Sequence, residues 1–415
     1  MISLDSSKLP KFYKWIFLIP LCSLLIGSAA AGFLWSLDFV TMLNLTHSWL
    51  LLCLPLMGGF IAFLYAKTGP ELGNGNRYII ARFFKEESVE TKKPSIPILL
   101  TPLVLIGTLF THLGGGSAGR EGTAVQMGAS LASQMNRWFS LDKTEQRLLT
   151  CIGISAGFAG VFGTPLAASI FAFEFFGFRK TKWFYIFPSL LTAYLADFIC
   201  ISWGIQHAHY AIGSFSDYNL STIGWLTISG LLFGLAALLF IQSGKLFSTL
   251  FSKIASPILR PIIGGTIFAV FIYLTGQGKM TGLGLQSISD AFVHQQASFD
   301  FLFKLLLTSF ILSAGFKGGE VTPLFFIGAV LGSALVAFIP LPISLLAGLG
   351  LIAVFAGATH CVVSAILLGV ELYGFEYSFY IVFVCFITYL ISGTSNIYEG
   401  RPLGKIKKAI APYFL

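Results

Sequence analysis

The chain has 415 residues, 55% of them hydrophobic and only 11% charged, with a formal net charge of +8. A water-soluble core has no use for so much apolar surface. Six cysteines without a C-x-x-C spacing give no sign of a disulfide framework or a cysteine metal site.

A transmembrane helix needs about 20 apolar residues. Stretches of that kind run near 15–37, 48–66, 97–113, 148–176, 183–204, 222–243, 259–275, 300–316, 322–340, 342–372 and 376–394. They are continuous rather than alternating, so helices are predicted and a membrane barrel is not. Two of them, 148–176 and 342–372, exceed one simple span and imply either tilted helices or pairs of shorter ones. The first stretch ends in GSAAAG, which resembles a cleavage region, but apolar segments continue along the chain, so it is read as the first span. Lys8, Lys11 and Lys14 precede that span. Lys67, Arg77, Arg82, Lys85, Lys92 and Lys93 follow the second, and Arg401, Lys405, Lys407 and Lys408 follow the last. By the positive-inside rule both termini and that loop face the cytoplasm. The basic excess thus reports topology and not nucleic-acid binding. With 42 Phe against 7 Trp and 14 Tyr, most aromatic rings are expected in lipid or core, since interfacial belts favour Trp and Tyr.

Residues 153–177, GISAGFAGVFGTPLAASIFAFEFFG, match residues 350–374, GLIAVFAGATHCVVSAILLGVELYG, without gaps. Glu174 pairs with Glu371, and Phe158-Ala159-Gly160 with Phe355-Ala356-Gly357. Upstream, Gly119-Arg120-Glu121-Gly122-Thr123 parallels Gly318-Gly319-Glu320-Val321-Thr322 as G-x-E-x-T. Glu121 lies 53 residues before Glu174, and Glu320 lies 51 before Glu371. The chain reads as a duplicated unit, about 15–215 and 220–398, in a single transmembrane domain. An odd number of crossings per unit would invert the second, which is the architecture of secondary transporters.

Each G-x-E-x-T stretch opens an apolar run. Helix N-termini present unpaired N–H donors and the positive end of the dipole, so two of them meeting would hold an anion without a buried lysine or arginine. A carboxylate there occupies the anion's own place and leaves it when protonated. That competition is the minimum needed to couple anion to proton movement. An ionisable residue at membrane depth is costly and points to function; an ion pair of Glu121 with Arg120 at the membrane surface is the plainer alternative.

These residues resemble the CLC chloride channels and anion/proton antiporters. GREGT at 119–123 is close to that family's GREGP. GFAGVFGTPLAASIFAFE at 157–174 resembles the segment that follows it there, and GGEVTPLFFIGAVLG at 318–332 is similar to its GGIFAP-like motif. GNGN at 73–76 stands where the family carries GSGIP, and SNIYEGRPLG at 395–404 resembles its terminal tyrosine region. The resemblance runs in order through most of the chain. It implies an all-α polytopic membrane protein with the CLC fold, two inverted structural repeats, broken or re-entrant helices, and a homodimer with one pathway per subunit. GREGT for GREGP, Glu320 and Thr322 in place of apolar residues, and Asn74 in place of the usual loop serine resemble the fluoride/proton antiporter branch.

By that resemblance Glu121 is the gating, proton-carrying glutamate and Tyr398 faces the central anion. Asn74 lines the inner entrance, and Gly119, Arg120, Gly122, Thr123, Val321 and Thr322 complete the anion-binding set. Fluoride holds its water tightly, so its site must offer strong donors. The two adjacent glutamates of many proton-coupled members are here Glu174-Phe175, which leaves Glu320 as the candidate inner proton relay. The expected function is exchange of fluoride, outward, for protons across a bacterial inner membrane. A chloride-selective antiporter or channel is the rival within the family. No cofactor or metal is expected. The chain ends 17 residues after Tyr398, so no appended cytosolic nucleotide-binding module is expected either.

Other constellations carry plainer readings. Gly115-Gly116-Ser117-Ala118-Gly119 matches the G-x-S-x-G of hydrolases, which needs a strand before the serine; Ser117→Ala would kill a hydrolase and spare an antiporter. His207 and His209 are read as a solvated loop and His360 as a packed histidine inside a helix. Glu174 and Glu371 are read as caps or vestibule lining. Asp197 is polar in a costly place, with no partner evident beyond a packing hydrogen bond.

Overall fold

The structure is a computed structural model and describes residues 11–85, 95–139, 141–178, 181–401 and 404–410. Lys8, Lys92, Lys93 and residues 402–403 of the terminal motif lie outside these. Among the described residues there are seventeen α-helices. The first half contains α1 (Lys11–Thr46), α2 (Leu54–Thr68), α3 (Asn76–Phe84), α4 (Leu100–Leu113), α5 (Glu121–Ser133), α6 (Lys143–Phe162), α7 (Pro165–Phe175) and α8 (Ile186–Ser202). The second contains α9 (Leu220–Ser252), α10 (Leu259–Thr275), α11 (Leu285–Ala291), α12 (Asp300–Ser313), α13 (Val321–Leu335), α14 (Ile343–Thr359), α15 (Val362–Tyr373), α16 (Ser378–Ile391) and α17 (Lys405–Ile410).

Among the described residues, four helical stretches are long and apolar enough to cross a membrane: Tyr13–Thr46, Ser48–Thr68, Trp183–Ser202 and Leu220–Ser252. The other apolar helices span 10–17 residues, too short for a straight crossing. The two overlong runs both resolve into pairs. The first breaks at Gly163, which takes a left-handed φ of 72°, followed by Thr164 and by Pro165 at the first turn of α7. Proline lacks an N–H and suits a helix start. The second breaks at His360 (φ 57°) and Cys361, so His360 ends α14 rather than lying inside a helix. Arg401 covers the exposed carbonyls there, donating to Thr359 O at 2.5 Å and His360 O at 3.0 Å.

Local sequence also sets helix starts. Asp142 and Glu145 form a reciprocal cap on α6: the Glu145 N–H donates to Asp142 Oδ1 (2.9 Å) and the Asp142 N–H to Glu145 Oε2 (2.8 Å). Asn219 accepts from the Thr222 N–H at 2.8 Å and starts α9.

Helices α5 and α6 cross with their backbones nearly touching, and so do α13 and α14. A Cβ on Gly128 would collide with the carbonyl of Gly153, and one on Gly328 with that of Gly350. Without a hydrophobic drive between helices in lipid, such small residues permit the close contact that holds a membrane bundle together. The buried core gathers around these crossings, including Phe158, Phe171, Phe326, Ile352 and Phe355.

The two halves follow one plan. Helices begin at 100, 121 and 143 in the first half and at 300, 321 and 343 in the second. Glu174, on α7, accepts from the Val363 and Ser364 N–H groups (3.1 and 2.6 Å) at the start of α15. Glu371, on α15, accepts from the Leu166 and Ala167 N–H groups (2.8 and 2.7 Å) at the start of α7. Each half thus supplies the carboxylate that caps the other's short helix.

Candidate functional site

The loops before α5 and α13 meet through their backbones. The Gly119 N–H donates to Gly319 O (2.6 Å), and the Gly319 N–H to Gly119 O (2.7 Å). This antiparallel pair brings the two helix N-termini together. Both positions need glycine: a Cβ on Gly319 would lie 2.7 Å from Gly122 N, and one on Gly119 2.9 Å from Pro323 Cδ.

Glu121 opens α5, is 1% exposed, and crosses to the start of α13. Its carboxylate accepts from the Thr322 N–H at 3.1 Å, from the Thr322 hydroxyl, and from the Arg120 N–H at 3.1 Å. The anionic side chain therefore sits on N–H and O–H donors where two positive helix ends converge. These donors, rather than the Arg120 guanidinium, hold it; the Arg120 Nε is buried without a hydrogen-bond partner.

The remaining candidates divide into four groups. Val321 and Thr322 begin α13 and are buried beside Glu121, as is Gly122, whose position faces Gly319 Cα. The Thr123 hydroxyl turns away and shares a 2.6 Å hydrogen bond with Thr108. Tyr398 is 4% exposed and packed edge-on against Phe171 and Phe175. The Ile397 N–H donates to Ala358 O at 3.0 Å and fixes this tail against the end of α14.

Asn74 and Glu320 line a cavity of about 410 Å³, together with Tyr65, Gln126, Phe240 and Lys317. Glu121, Thr322 and Tyr398 are not in its wall. The G-x-E-x-T pairing of Glu121 with Glu320 is corrected here. With Gly119 opposite Gly319 and helices beginning at 121 and 321, Glu121 corresponds to Val321, and Glu320 to Arg120. One residue of register turns Glu320 into the cavity instead of onto the helix junction.

One residue that the sequence reading does not single out, the half-buried Lys317, joins this group. It lines the same cavity, and its Nζ donates to Gly73 O at 2.9 Å. A lysine between apolar segments, three residues before Glu320, was the available signal. Lys304, by contrast, is fully buried, donating to Met280 O (3.0 Å) and Gly282 O (2.7 Å).

Other readings sharpen too. His207 is not solvated: its Nε2 lies 3.0 Å from Asp197 Oδ1, both side chains mostly buried, an ion-pair contact without hydrogen-bond alignment. Ser117 follows helix α4 instead of a strand, and its hydroxyl pairs with Thr308 at 2.8 Å. That geometry is not a nucleophile elbow.

Comparison with known proteins agrees with this architecture. Residues 57–393 match the model of the voltage gated chloride channel family. A chloride/fluoride channel protein of Pseudomonas syringae pv. tomato is 40% identical over 407 residues, covering 96% of this chain and 88% of that one. The crystal structure of a CLC-type fluoride/proton antiporter superposes with a TM-score of 0.89 at 34% identity, covering 95% of this chain and 99% of the other. A slow cyanobacterial Cl⁻/H⁺ antiporter shares the fold, with a TM-score of 0.78 at 20% identity over 96% and 97% of the two chains. The chain therefore belongs to the voltage-gated chloride channel family: it is an integral membrane anion transporter of the CLC type.

Proposed function

We propose that the protein exchanges fluoride, outward, for protons across a bacterial inner membrane, with both termini cytoplasmic. The observation that carries this reading is the Glu121 carboxylate seated on the Arg120 N–H, the Thr322 N–H and the Thr322 hydroxyl. A bound anion needs the same donors. Protonation cancels the charge that the two helix ends attract, the side chain leaves, and the anion takes its place. Each cycle then moves a proton with Glu121 in one direction and an anion through the vacated site in the other.

Fluoride, rather than a larger halide, suits a site with a hydroxyl donor at Thr322 and the Asn74 amide on the approach, because its strong hydration must be replaced by strong donors. Similarity to a fluoride/proton antiporter over nearly the whole chain supports the same choice. In this reading Asn74 and Glu320 stand on the inner approach, Glu320 relays protons from the cytoplasmic side, and Tyr398 closes the anion path. The working unit is a homodimer with one pathway per subunit. A channel is the second reading, favoured by the name of the Pseudomonas relative.

The test is anion efflux from liposomes carrying the purified protein, read by fluoride and chloride electrodes with a pH-sensitive dye inside. Fluoride efflux with matching proton uptake and little chloride movement is the expected result. Chloride efflux equal to or above fluoride overturns the selectivity, and fluoride efflux without proton uptake makes the protein a channel. Glu121→Gln should abolish proton coupling; a variant that still couples protons to fluoride would sink the role given to Glu121.

A further inference from the structure

The charges around the inner cavity are unevenly matched. Arg77 pairs with Glu399 at 2.9 Å, both side chains more than 60% exposed. Lys245 donates to Ser395 at 2.5 Å from an exposed position, where water screens it. Lys317 differs from both. It lies in the turn between α12 and α13, with its stem over Gly107 of α4, where a Cβ would come within 2.8 Å of Lys317 Cγ. Its Nζ donates to the Gly73 carbonyl at 2.9 Å and stands 4.6 Å from the centre of the Tyr65 ring.

Both of those partners are neutral. They orient the ammonium without cancelling its charge. Gly73 directly precedes Asn74, so the charge is fixed beside the turn that places Asn74 in the cavity wall. Glu320 faces the same space. Ionised, that carboxylate would repel an incoming anion, as would Glu399 on the same wall; Lys317, three residues before Glu320, puts a positive charge on that wall. In a partly enclosed cavity one fixed charge alters the local anion concentration.

We propose that Lys317 is an anion-recruiting residue of the inner cavity: its ammonium, anchored by Gly73 and Tyr65, concentrates small anions in front of Asn74 and Glu320. This rests on reading the cavity as the anion's approach to Glu121. Lys317 acts on the substrate before Glu121 is reached, so it governs how much anion is needed and not how fast the loaded protein turns over.

The test compares wild type, Lys317→Met and Lys317→Arg in liposomes, with fluoride as the probe and ionic strength set by potassium gluconate. Lys317→Met keeps the stem over Gly107 and removes the charge. It should raise the half-saturating fluoride concentration about tenfold, the order expected of one partly screened charge, and leave the maximal rate within about twofold. It should also flatten the rise of half-saturation with added gluconate salt, whereas Lys317→Arg should stay within about threefold of wild type. An unchanged half-saturation in Lys317→Met overturns the proposal. So does an equal rise in both variants, which would mean packing rather than charge, or a fall in maximal rate alone. If the wild type moves chloride and no fluoride, the fluoride reading fails by itself, and the same comparison with chloride then decides the role of Lys317 by the same criteria.

Discussion

The exchange of carboxylates between α7 and α15 gives a sharp stability prediction. Glu174→Ala removes the acceptor of the Val363 and Ser364 N–H groups, and Glu174 is only 4% exposed. Each buried donor left without a partner costs about 1–3 kcal/mol, so the variant should lose about 4 kcal/mol. Glu371→Ala strips the Leu166 and Ala167 N–H groups. Glu371 is only half-buried, so water reaches part of what is uncovered and about 2 kcal/mol is expected. The assay is denaturant unfolding of the purified protein in detergent, followed by tryptophan fluorescence, with the midpoint shift converted through a common slope. Losses below about 0.5 kcal/mol in both variants would refute the capping role. A larger loss for Glu371→Ala than for Glu174→Ala would refute the burial argument that ranks them.

Four further outcomes follow from the structure. Gly128→Ala places a methyl against the Gly153 carbonyl at the α5–α6 crossing and should lower the yield of folded protein severely in size-exclusion chromatography. Gly224→Ala in α9, with nothing within 4 Å, should be neutral or stabilising by up to about 1 kcal/mol. Thr322→Val deletes the hydroxyl aimed at Glu121; with a charge-assisted hydrogen bond worth about 1.5–3 kcal/mol, fluoride exchange in liposomes should slow about tenfold or more, while Thr322→Ser should stay within about threefold. Ser117→Ala, which loses only a bond to Thr308, should keep transport within about twofold in the same assay.

Much of this was legible in the sequence because lipid imposes few solutions. Apolar runs fix most of the helices, and the repeated FAG segments mark the halves. The glycine-rich turn before Glu121 marks the junction because only glycine fits where two main chains touch. What escaped depended on single-residue register or on partners remote in the chain. Glu320 was misaligned by one position because a local G-x-E-x-T match cannot see that Gly119 pairs with Gly319. Asp197 and His207, ten residues apart, read separately as an oddity and a loop. Lys317 was passed over because its partners, Gly73 and Tyr65, lie far upstream. The short helices α3 and α11 carry no long apolar run, so nothing in hydropathy announced them.

The tie between Gly119 and Gly319 is built entirely from main-chain atoms. Its bonding groups are the same whatever residues surround it, so the joint is indifferent to side-chain chemistry as long as both positions stay glycine. Substitutions at Arg120, Thr123, Glu320 or Thr322 therefore change the groups around the junction without unfastening the joint that holds the two helix ends in place. A search for altered ion preference is therefore best directed to the residues beside the glycines and not to the glycines themselves.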